Sequence, residues 1–96
     1  MSTNIDIYEI LIKEIIKNQQ SILGPLAVDV ANKVSGLKVY ERSIVVTITG
    51  DKKKILEELV KQYESIFGQA SVETCKDAIK PLISELKDTD LPGILR

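Results

Sequence analysis

The chain reads as an α+β domain: two helices, one β-hairpin, then two more helices. Three observations predict this. Apolar residues recur at helical spacing in the first third and again in the second half. Residues 37–49, LKVYERSIVVTIT, are the one stretch with a clear β pattern. Gly24-Pro25, Gly36, Gly50 and Gly68 punctuate the chain between these segments. With 96 residues, 1–96 suits a single domain and not two.

Residues 1–4 are expected to fray. Asp6, with Glu9 three residues on, marks a helix start. Ile7, Tyr8, Ile10, Leu11, Ile12, Ile15, Ile16, Ile22 and Leu23 then form an apolar face wider than a coiled-coil seam. Such a face predicts packing against more than one neighbour. Pro25 suits the first turn of a second helix, and Leu26, Ala27, Val28, Val30, Ala31 and Val34 carry that helix towards a stop at Gly36. One long helix over 6–35, kinked at Pro25, is the alternative. It is disfavoured because an interior proline costs about 3 kcal/mol.

In the hairpin, Leu37 and Val39 alternate with Lys38 and Tyr40. Ile44, Val46 and Ile48 share one face of the second strand, and Val45, Thr47 and Thr49 share the other. The turn falls near Glu41-Arg42-Ser43. Asp51 is the expected N-cap of the next helix, whose stripe is Ile55, Leu56, Leu59, Val60, Tyr63, Ile66 and Phe67, stopped by Gly68. The last helix is expected from Ser71, with Val72, Cys75, Ile79, Leu82, Ile83 and Leu86 as its stripe. Pro81 should kink or split it near Lys80. Residues 87–96 read as an extended tail with a small apolar anchor at Ile94 and Leu95, or as one short turn.

Composition narrows the function. The apolar share is 44%, charged residues make up 28%, and the net charge is −1. This fits a folded soluble domain and lacks the positive excess usual in nucleic-acid binders. Histidine is absent, which removes the commonest acid–base group and metal ligand near neutral pH. The single cysteine, Cys75, can form no internal disulfide and no cysteine metal cage. These features point to a reducing cytoplasm. No apolar run is long enough to span a bilayer, and the opening MSTNIDIYE has neither the basic nor the apolar region of a signal peptide.

Five groups of residues are candidates for chemistry. Lys52, Lys53 and Lys54 follow Gly50-Asp51 at a helix start, a place where anions bind. The stretch is not a phosphate-binding P-loop, since it has one glycine and no Lys-Ser/Thr ending, and Asp51 would repel the anion. Cys75 sits beside Lys76 near a helix start, but it falls on the apolar stripe and has no base to activate it. Glu57 and Glu58 are adjacent and diverge on a helix, whereas Glu73 and Asp77 share a solvated face. Tyr40, between Lys38 and Arg42, could stack a base only on a basic surface, which Glu41 weakens. The fifth group is the apolar surplus itself: a broad first-helix face, an apolar second helix and a hairpin with open edges.

The residues therefore predict a non-catalytic protein–protein interaction module, most simply a homodimeric regulatory or adaptor domain. The dimer is expected to extend the two-stranded sheet, with Ile12, Ile15, Tyr40, Val45 and Thr47 at the interface. Packing between first helices is the other route to a dimer. The alternative function is an anion- or nucleotide-binding module built on Lys52, Lys53 and Lys54. No catalytic residue, metal or cofactor is expected.

Overall fold

Helix α1 (Ile7–Leu23) occupies the centre of the molecule and touches α2 (Leu26–Ala31), α3 (Lys52–Phe67), α4 (Gln69–Ile79) and the second strand of the hairpin, β1 (Leu37–Tyr40) and β2 (Val45–Ile48). A 3-10 helix, Lys80–Glu85, continues from α4, and a second, Gly93–Leu95, packs on α3 and α4. The computed structural model describes residues 7–40, 45–85 and 91–95. The α+β architecture and the order of its elements are those expected from the sequence. The expected frayed start, the Asp6 helix start, the hairpin turn and Leu86 lie outside the described residues.

The wide face of α1 explains its central position. Leu11, Ile12, Ile15 and Ile16 are fully buried, and they project to several sides of the helix axis. The helix stops because Gly24 takes a φ of 65°, with its N–H donating to Gln20 O at 2.8 Å. Pro25 then opens α2, where its missing N–H costs nothing. The residues therefore form two helices rather than one kinked one.

Helix α2 is shorter than its apolar pattern implied. After Ala31 the chain tightens: Lys33 N–H donates to Val30 O and Val34 N–H to Ala31 O, three residues back instead of four. These turns keep Val34 in the core, so the periodicity outlasts the α-helix. Gly36 follows with a φ of 86°. A Cβ there would run into the carbonyl oxygen of Thr49 and press on Ile55 Cδ1. The same close approach lets Thr49 N–H donate to Gly36 O at 2.7 Å, which closes the base of the hairpin.

The strands are antiparallel, with Leu37 opposite Ile48, Lys38 opposite Thr47, Val39 opposite Val46 and Tyr40 opposite Val45. Leu37, Val39 and Val46 face the helices and are buried. Asp51 caps α3 as expected, its carboxylate accepting from Lys54 N–H at 3.2 Å. Gly68 separates α3 from α4, which begins two residues earlier than expected. At the other end of α4, Pro81 forces the change to 3-10 geometry after Ile79. Within 91–95, Gly93–Leu95 form one 3-10 turn, and Leu91 and Leu95 are buried in the core.

Two polar contacts tie the helices together. Tyr63 is fully buried and its hydroxyl donates to Ala27 O at 2.7 Å, joining α3 to α2. Gln19, also buried, turns its amide towards Ser71 O (3.1 Å), Ser71 Oγ (3.1 Å) and Cys75 Sγ (3.3 Å), joining α1 to α4. Buried polar groups are tolerated only when paired in this way.

Candidate interaction surface

The sheet has two strands among the described residues, and the face that carries Leu37, Val39 and Val46 is packed into the core. The opposite face carries Lys38, Tyr40 and Thr47, all exposed, with Lys38 Nζ held 5.6 Å from the centre of the Tyr40 ring. This is a cation–π contact of the exposed kind, contributing about 0.5 kcal/mol. Val45 stands opposite Tyr40 in the register. Three of the expected interface positions, Tyr40, Val45 and Thr47, thus lie together on the hairpin.

Ile12 and Ile15 do not join them. Both are 0% exposed within the single chain, packed in its own core. A side chain already enclosed offers nothing to a partner, so the expected role of these two residues, and with it packing between first helices through them, is corrected. The width of the α1 face reflects three neighbouring helices of the same chain.

The two edges of the hairpin differ. Gly36 and Thr49 form a hydrogen-bonded pair, and by alternation Lys38–Thr47 and Tyr40–Val45 do the same. Leu37 and Val39 on β1, and Val46 and Ile48 on β2, therefore turn their N–H and C=O groups away from the hairpin. On β1 these groups are engaged. Leu37 N–H donates to Val34 O at 3.1 Å. Val39 N–H donates to Asn32 Oδ1 at 2.8 Å, and Asn32 Nδ2 donates back to Val39 O at 3.1 Å. The Asn32 carboxamide has one donor and one acceptor arranged like a peptide group, and it stands where a third strand would begin. On β2, no group among the described residues bonds the outward N–H and C=O of Val46 or Ile48. The apolar pattern of residues 26–34 gives no sign of this role for Asn32. Only the register reveals which backbone groups it meets.

A second apolar surface lies at the far end of the helices. Ile22, Leu23, Phe67 and Ala70 line a groove of about 220 Å³, with Ile22 66% exposed. Ile66, expected in the core stripe of α3, is exposed instead.

The start of α3 borders a larger open groove of about 650 Å³, lined by Lys33, Lys54, Asp51 and Glu58 together with Ser35 and Thr49. Lys53 and Lys54 also border a smaller one with Asp51 and Glu57. Each groove mixes both signs of charge, and the Asp51 carboxylate already occupies the Lys54 N–H. Lys52 is exposed and Lys53 half-buried.

Cys75 lies in the core beside Gln19, and burial pushes its thiol up to about 11, against a smaller downward pull from the Gln19 hydrogen bond. Its thiol stays protonated at neutral pH and is a poor nucleophile. Burial likewise raises the Tyr63 hydroxyl well above the usual tyrosine range. Glu73 and Asp77 are exposed, and Glu73 pairs with Lys76 at 3.7 Å. Among the described residues, no group of three metal-ligating side chains converges, and no helix is long and apolar enough to cross a membrane. Compared with known proteins, the chain matches no family model, no curated protein and no solved structure.

Proposed function

We propose that this chain is a non-catalytic protein–protein interaction module that acts as a homodimer, in a regulatory or adaptor role. The observation that supports this reading is a sheet with two strands among the described residues, whose Lys38, Tyr40 and Thr47 are exposed. A two-stranded sheet is short of strands for independent stability, and a second subunit is the simplest source of more. A reducing cytoplasm suits a chain whose one cysteine is buried and unpaired. Size-exclusion chromatography with light scattering over a range of concentrations tests the reading. A mass rising to that of two chains is expected; a monomer at every concentration sinks it.

The alternative, anion binding at Lys52, Lys53 and Lys54, draws support from the groove that Lys33 and Lys54 border. Asp51 and Glu58 in the same lining oppose it. Inorganic phosphate is expected to leave the melting temperature unchanged. A rise that disappears when all three lysines become Ala would favour the alternative, because a ligand of the folded state stabilises it by mass action.

A further inference from the structure

We infer that this self-association runs through the outer edge of β2, with a second copy of the chain completing the sheet there. The inference rests on the homodimer reading above and names the surface that it uses. Three observations carry it. The β1 edge is closed, because Asn32 and Val34 engage the outward groups of Val39 and Leu37. The β2 edge is open among the described residues at Val46 and Ile48. The third is charge. Val45–Ile48 and the following Thr49 carry none, and the strand itself contains no proline, lysine or glutamate. Proteins that remain single protect such an edge. Among the described residues, this chain has a protecting device on one edge and none on the other.

The uncharged strand also points to a second copy as the occupant. A two-fold axis lays β2 antiparallel to itself without further requirement, and no like charges meet across the seam. With the axis at Thr47, Val46 faces Ile48 of the partner subunit, and Ile48 faces Val46 of the partner subunit. Both are reciprocal hydrogen-bonded pairs. Thr47 meets Thr47 of the partner subunit in the closer pair between them. The result is a four-stranded sheet whose outer strands are both β1, each sealed by its own Asn32.

Charge placed at Thr47 tests this without disturbing the core, because Thr47 is exposed. Sedimentation equilibrium should show the dimer dissociation constant rising about fivefold or more in Thr47→Lys and in Thr47→Glu. An equimolar mixture of the two variants should recover at least wild-type affinity. In the wild-type protein, amide exchange at Val46 and Ile48 should slow as concentration rises. A wild-type chain that stays monomeric overturns the homodimer reading and this inference together. A wild-type dimer indifferent to both Thr47 variants, or one whose Val46 and Ile48 amides exchange at a rate independent of concentration, overturns the edge alone. So does a dimer lost in Ile22→Glu but kept in the Thr47 variants, which places the contact in the end groove.

Discussion

Helix α1 and strand β2 carry similar residues, ILIKEII in one and VVTI in the other, yet the fold leaves them in different conditions. Every large apolar side chain from Leu11 to Ile16 is enclosed by the chain itself. Strand β2 buries Val46 but keeps Thr47 in solvent and its outer backbone groups without a partner among the described residues. The difference is one of backbone chemistry. A helix satisfies its own N–H and C=O groups, so once its side chains are covered nothing is left over. A strand satisfies only half of its groups with one neighbour, so a hairpin always keeps two edges in need of partners. An apolar helix face can be finished inside one small domain, whereas a hairpin edge needs a further strand or a plug such as Asn32.

The contrast can be broken from either side. The largest effect is expected in α1, where Ile15→Ala opens a cavity in a fully enclosed site. It should cost about 3–4 kcal/mol in urea denaturation and leave the dissociation constant of the folded protein unchanged; a variant that weakens association instead would return Ile15 to an interface. Gly36→Ala attacks the hairpin at its base, since both the positive φ and the Thr49 carbonyl exclude a side chain. A loss of about 3 kcal/mol is expected, and a thermal melt within a degree of wild type would contradict the close approach.

Asn32→Ala removes the difference between the two edges. Two hydrogen bonds disappear and Val39 keeps unpaired backbone groups, for a loss of about 2 kcal/mol. If the proposed dimer forms through β2, light scattering should then detect species larger than a dimer, because neither edge of the sheet keeps a partner among the described residues. The gentlest test concerns pH. The Cys75 thiol is raised to about 11 from an ordinary value of 9.0. Above pH 9 the unfolded chain gives up this proton while the folded chain keeps it, so the unfolded state binds fewer protons and stability falls as pH rises. The full contribution is present below pH 9 and is lost by about pH 11, with Tyr63 acting in the same direction at still higher pH. Melting temperatures across this window should decline, and less steeply in Cys75→Ala.

Much of the fold was legible because it rests on local periodicity. The stripes from Ile55 to Tyr63 and from Val72 to Ile79 place two helices, and the alternation at 37–40 and 45–48 places two strands with the correct inward residues. What misled was the step from an apolar face to its neighbour. The breadth around Ile12 and Ile15 says how many surfaces pack on the helix, but not whether they belong to the same chain. Val34 misled in a smaller way, since 3-10 turns can hold a side chain in register with a helix that has already ended. Asn32, Gln19 and the docking of Leu91 were illegible for a common reason. Each depends on a partner in another element, 7 residues away for Asn32 and 52 or more for Gln19. No local pattern encodes such pairs.

In the language of polymer chemistry, a subunit with two live edges is a difunctional monomer, and nothing in its own geometry tells growth to stop. In the proposed dimer, Asn32, by engaging the β1 edge, would make the hairpin a monofunctional one. A single carboxamide would thereby set the stoichiometry of that assembly without touching the surface on which it forms.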